Sequence, residues 1–178
     1  SATAALEIAA ILAELNGVNR VFLPSYTFSS TANAFLRSNI NIKFCDINEN
    51  DFNIDLNNVN SRKESDGLCL VHYANSSSEL NQAKKLNFNY LIEDAAQSFN
   101  VKYNNKLLGS FGDYGCLSFH PTKNVHAGFG GLFLAKSKSD LEIGKYIYER
   151  GTDRSKVLSG LKNKYEWVEI GSSFQVPD

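Results

Sequence analysis

The sequence predicts one α/β domain, residues 1–178, with a mostly parallel sheet and helices on both faces. Short β-type runs alternate with helical stretches, an order that implies right-handed crossovers between parallel strands. The 178 residues, 43% hydrophobic and 12% aromatic, suffice for one substantial core. Polar residues able to do chemistry fall at the ends of several runs, where a parallel α/β sheet places its ligand.

Residues 4–15 carry Ala, Leu and Ile in a dense helical pattern, with Glu7 and Glu14 on the remaining face, and stop at Asn16-Gly17. That pattern predicts a mostly buried helix. β-type runs follow at 21–23, 42–45, 68–72 and 90–92, the last leading into Glu93-Asp94, and two more occupy 116–119 and 132–135. Helical stretches cover 30–37, 79–86 and 140–150. Residues 48–60, rich in Asn and Asp, predict a surface connection. Tyr103-Asn104-Asn105-Lys106 predicts a small hairpin leading to a Gly-rich turn at 109–112.

Lys plus Arg number 18 and Asp plus Glu 19, a net charge of -1, so there is no excess with which to hold a nucleic acid or an anionic membrane. The longest apolar runs are strand-sized, far below the roughly 20 residues that span a bilayer, and a soluble protein is expected. The three cysteines, Cys45, Cys69 and Cys116, each sit in an apolar run without paired spacing. They predict buried thiols rather than a disulfide framework or zinc site, as suits a reducing cytoplasm. His72, His120 and His126 lack metal-ligand spacing, and no metal is expected. The apolar start has no basic region before it and predicts a helix rather than a signal peptide. With no methionine anywhere, the chain is expected to begin partway through a longer protein.

His72 ends one run, Asp94 another, and Ser118, His120 and Lys123 lie in or just after a third. A carboxylate, a hydroxyl and an amine thus converge on one rim from distant parts of the chain. Asp94 would keep its charge best beside a positive partner, which the protonated pyridine nitrogen of pyridoxal phosphate supplies; on position alone a helix N-cap or a buried ion pair is the commoner reading. Lys123 lies in a loop of Pro, Thr, Asn and Gly, and lysine is the residue type that forms a Schiff base with an aldehyde and shuttles a proton when released. On its own it also fits an ordinary exposed lysine.

Ser1 to Ala5 place small residues and two hydroxyls at a helix start, suited to phosphate or simply to an N-cap. Ser118 adds a hydroxyl from the rim. The aromatics of Ser25-Tyr26-Thr27-Phe28 suit either stacking on a planar ring or core packing. His120 fits a pocket residue or a satisfied structural one. Gly128-Phe129-Gly130-Gly131 leads into a strand rather than a helix, so it is no dinucleotide loop, and neither GxxxxGK(S/T) nor GxSxG occurs.

Taken together, SATAAL, PSYTF, EDAAQS, GSFGDYGCLSFHPTKN and the GG strand resemble, in order and spacing, the sugar-nucleotide aminotransferases of the DegT/DnrJ/EryC1/StrS family. The resemblance covers nearly the whole chain. It implies the fold-type I pyridoxal-phosphate fold, with this chain as the cofactor-binding large domain and a smaller C-terminal domain beyond Asp178. It implies that Lys123 carries pyridoxal phosphate, that Asp94 pairs with the pyridine nitrogen and that Gln97 lies near the ring hydroxyl. Ser118 and the helix start at Ala2-Thr3 would hold the phosphate, and Phe28 would stack on the ring.

It further implies a homodimer, glutamate as amino donor and a nucleotide-linked keto-sugar as acceptor. Arg154, in GTDRS, is a candidate for the substrate diphosphate, since a guanidinium can grip phosphate oxygens bidentately; a surface salt bridge is the alternative. The tail, ERGTDRS and KYEWVEIGSSF, looks like the members that aminate dTDP-4-dehydro-6-deoxy-glucose to a 4-amino-4,6-dideoxy-galactose product for bacterial surface polysaccharide. Members that instead dehydrate at C3 carry histidine where Lys123 stands, so the lysine favours transfer. A non-catalytic remnant or binding module of the same fold is the other reading. One departure is Phe129, where the family usually has an acidic residue.

Overall fold

A computed structural model describes residues 1–59, 63–77, 79–86 and 88–175. Helix α1 (Ala2–Leu15) begins earlier than the apolar pattern because the Ser1 side chain accepts the Ala4 N–H at 3.2 Å, capping an alanine-rich first turn. It stops where the Asn16 amide donates back to the Leu12 carbonyl at 2.8 Å and Gly17 takes φ 86°. As expected, most of it is buried.

The chain then forms β1 (Arg20–Pro24), α2 (Ser29–Arg37), β2 (Asn41–Cys45), β3 (Asp66–Val71), α3 (Leu80–Lys85) and β4 (Tyr90–Asp94). A hairpin of β5 (Lys102–Tyr103) and β6 (Lys106–Leu107) turns through Asn104 and Asn105, both at positive φ as a tight hairpin requires. Next come β7 (Tyr114–Ser118), β8 (Gly131–Ala135), α4 (Lys138–Tyr148) and α5 (Arg154–Leu158).

Six strands form one sheet in the order β2-β1-β3-β4-β7-β8, parallel except for β8, which runs antiparallel to β7. The exception has a simple cause. A parallel return needs a crossover, usually a helix, and residues 119–130 form none.

Alternation along the strands sorts side chains into two cores. Val21, Leu23, Cys69 and Ile92 face α1, α2 and α4, where Phe35 and Ile147 are wholly buried. Phe22, Leu68 and Leu70 face the other way, against Leu80 and Ala83 of α3. Leu68 and Leu70 are 0% exposed, and each such burial contributes about 1.5–3 kcal/mol.

The expected surface connection at 48–60 is corrected in part: Ile54, Leu56 and Val59 are buried in the second core, and Asn53 is buried beside them. Helix α3 has six residues, too short to cover that face, and the connection completes it. Asn60 lies outside the described residues. Cys45, Cys69 and Cys116 are buried and free, as the apolar runs predicted. Among the described residues no helix is long and apolar enough to cross a membrane.

Candidate active site

A cavity of about 430 Å³ opens beyond the carboxyl ends of β3, β4 and β7. Its volume falls in the range of small-molecule and cofactor sites. Two helix starts point into it: Ala2 and Thr3 of α1, and Ser30 and Thr31 of α2, with the Thr3 and Ser30 hydroxyls 2.8 Å apart. The positive ends of two helix dipoles favour an anion here. Phe28, the N-cap of α2, lines the same cavity and is 75% exposed, free to meet a ligand.

Asp94, the last residue of β4, is buried at the cavity floor. Its Oδ2 accepts from Thr31 Oγ1 at 2.7 Å and its Oδ1 from the Ala96 N–H at 3.1 Å. Burial pushes its carboxyl above the ordinary range, against the two hydrogen bonds and the charges of His72 and Lys123, which pull it down. Neither hydrogen bond comes from a charged group. A cationic partner arriving in the cavity would therefore hold the carboxylate ionised.

Lys123 lies in the loop after β7 and lines the cavity, its backbone turned back by an N–H bond to the His120 carbonyl at 2.9 Å. Ser118 ends β7 and lines the same wall, its Oγ accepting the His120 N–H at 3.3 Å. Gln97 also lines it, while its Oε1 accepts the Ala74 N–H at 2.9 Å. His120 Nδ1 accepts the Thr122 N–H at 3.2 Å, so the ring proton of a neutral His120 sits on Nε2. The His120 ring meets the Phe129 ring edge-on at 5.6 Å, placing the departure from the family pattern beside a cavity residue.

The structure thus gathers Ala2, Thr3, Phe28, Asp94, Gln97, Ser118, His120 and Lys123 around one space. Arg154 is the exception: it is exposed at the start of α5 and does not line this cavity. His72 reaches the rim as expected, but its Nε2 is bonded to Glu93 Oε2 at 2.8 Å and the pair is wholly buried. Thr31, which lines the cavity and bonds Asp94, is the residue that sequence reasoning missed. The hydroxyl-rich run Ser25, Thr27, Ser29, Ser30, Thr31 was the available signal.

A buried carboxylate, an amine lining the same space, an exposed aromatic ring and two helix starts fit pyridoxal phosphate as a donor set. The mostly parallel sheet flanked by helices has the fold-type I architecture. Residues 1–177 match the DegT/DnrJ/EryC1/StrS aminotransferase family, and the chain belongs to it.

The chain is 28% identical over its full length to the UDP-4-amino-4,6-dideoxy-N-acetyl-beta-L-altrosamine transaminase of Campylobacter jejuni, covering 48% of that protein. It is also 28% identical, over 96% of its length and 46% of the relative, to the dTDP-4-dehydro-2,3,6-trideoxy-D-glucose 4-aminotransferase of Saccharopolyspora spinosa. The solved structure of Helicobacter pylori PseC, an aminotransferase of pseudoaminic acid biosynthesis, aligns at TM-score 0.83 and 25% identity over 99% of this chain and 48% of that one. The chain spans about half the length of the curated relatives it matches.

Proposed function

We propose that this cavity binds pyridoxal 5'-phosphate on Lys123 and serves amino transfer from glutamate to a nucleotide-linked 4-keto-6-deoxy sugar. The observation that carries the reading is the meeting of Lys123, Asp94, Ser118 and two helix starts in one cavity. Once bound, the cofactor supplies an electrophilic aldehyde and an electron-withdrawing ring. Lys123 Nζ anchors it and, once released by the amino donor, is the base placed to carry the proton. Asp94 would keep positive charge on the ring nitrogen, Gln97 would bind the ring hydroxyl, and Phe28 would stack on the ring. Ser118 and the backbone N–H groups of Ala2 and Thr3 hold the phosphate.

In this reading the sugar is dTDP-4-dehydro-6-deoxy-D-glucose and the product the 4-amino-4,6-dideoxy-galactose nucleotide, for surface polysaccharide made in the cytoplasm. The tail motifs support that choice, and the names of both relatives above concern amino groups on nucleotide-linked deoxy sugars. His120 is assigned to the sugar. Arg154 stands away from this cavity, and its assignment to the diphosphate requires a site completed by further protein, as in a homodimer with a smaller C-terminal domain.

Pyridoxal phosphate added to the protein expressed from its full coding sequence is expected to give visible absorbance, and borohydride to fix the label on one lysine. A label on any lysine other than Lys123, or on none, refutes the assignment. A panel of dTDP- and UDP-keto-sugars with glutamate tests the substrate: equal inactivity with all of them sinks the sugar assignment.

Gly131 offers an independent check on the phosphate pole. A Cβ there would collide with the Ser1 carbonyl and stand 2.7 Å from the Ala2 nitrogen, so Gly131→Ala must displace the start of α1. Cofactor affinity measured by absorbance titration is expected to fall by about tenfold or more, the result of losing roughly 1.4 kcal/mol of phosphate binding.

A further inference from the structure

Thr31 and Thr27 form a short chain of hydroxyls ending on Asp94. Thr31 Oγ1 donates to Asp94 Oδ2 at 2.7 Å, and Thr27 Oγ1 lies 2.8 Å from Thr31 Oγ1. A hydroxyl carries one proton. Since a carboxylate can only accept, Thr31 donates its proton to Asp94, and Thr27 must be the donor in the second bond. The chain is therefore polarised, Thr27 to Thr31 to Asp94.

Its two ends fix two different things. Asp94 is held from both sides, by Thr31 of α2 and by the Ala96 N–H of its own turn, so its carboxylate plane cannot rotate without breaking a bond. Thr27 immediately precedes Phe28, which caps α2 with no side-chain hydrogen bond. The Thr27–Thr31 bond ties the segment presenting Phe28 to α2, while the Tyr26 hydroxyl, 3.2 Å from that of Tyr73, ties it toward the end of β3. Thr31 is fully buried, where a hydroxyl is costly unless it is bonded.

We infer that Thr27 and Thr31 are positioning residues whose polarised hydroxyl pair fixes the carboxylate plane of Asp94 and, through the same bond, the backbone that presents Phe28. This rests on the reading of Asp94 and Phe28 as cofactor contacts. The ionisable groups facing Asp94 from its other neighbours are His72 after β3, Lys123 after β7, and the thiols Cys69 and Cys116. Substitutions at Thr27 and Thr31 alter none of these four groups.

The test compares T31V, T31S and T27V with the unaltered protein. The Asp94 carboxyl is titrated by carbon-13 NMR without cofactor, with D94N assigning the resonance, and cofactor affinity is then measured separately. T31V is expected to raise the Asp94 titration point by about one pH unit, the effect of removing one hydrogen bond to a charged group. T31S restores it, and T27V shifts it less while weakening cofactor binding. An unshifted titration point in both T31V and T27V overturns the inference, as does a T31S protein that behaves like T31V. If the unaltered protein binds no cofactor, the reading of the cavity fails, while the titration still decides whether the hydroxyl pair positions Asp94.

Discussion

Replacing Lys123 by alanine is expected to lower amino transfer by about 10²–10⁴-fold or more, since in the proposed function one side chain supplies both the covalent anchor and the proton carrier. The same variant should take up no borohydride label. Its fold should persist, because Lys123 sits in a loop outside every helix and strand and contributes no core contact. Circular dichroism and thermal melting therefore separate lost chemistry from lost structure. A K123A protein that still transfers amino groups at the original rate would end the assignment.

The second large effect concerns stability. Glu93, beside Asp94, is wholly buried and accepts from His72 and from the backbone N–H groups of Gly109, Phe111 and Gly112, at 2.5–2.8 Å. Glu93→Ala strands all four donors. Breaking such a buried pair costs about 3–5 kcal/mol, a large part of the roughly 5–15 kcal/mol that holds a domain together. Urea denaturation should show a marked loss of midpoint, or no folded protein.

Burial raises the Glu93 carboxyl, but the hydrogen bond and charge of His72 and the N–H bonds from Gly112 and Gly109 outweigh it, leaving it below its ordinary value of 4.5. A carboxyl depressed by folding stabilises above its unfolded value and loses that stabilisation as pH falls through its folded value. Stability should therefore decline below about pH 5, and a folded E93Q variant should decline less steeply. Equal acid sensitivity in the two proteins would contradict the assignment.

Much of this was legible in the residues. The alternation of apolar runs and helical stretches located all six sheet strands, because a strand buried on both faces needs continuous apolar side chains, as β3 shows. The direction of β8 was not legible, since periodicity carries no sign of strand direction and only the missing crossover helix decides it. Ile54, Leu56 and Val59 were hidden among the Asn and Asp around them.

At the site, strand-end position picked out Asp94, Ser118 and Lys123, because parallel topology puts every such end on one rim. Glu93 and Asp94 adjoin in sequence, yet alternation sends one carboxylate into a structural network and the other to the cavity. Thr31 was hidden for a different reason: a threonine inside a helix looks like surface until the tertiary structure supplies its acceptor. Arg154 was chosen for guanidinium chemistry alone, with no strand end to place it, and it stands outside the cavity.

The antiparallel strand β8 has a consequence for how the chain acquires its site. Gly131 at its start packs against Ser1 and Ala2, and α1 lies across β7 and β8. The anion pole thus joins Ser1 and Ala2 to a residue far along the chain, and closing so long a loop is entropically slow. During synthesis α1 can pack early on α2, but the part of its face that meets β7 and β8 stays uncovered until those strands have left the ribosome. The junction of α1 with β8 is therefore among the last contacts of the sheet to form.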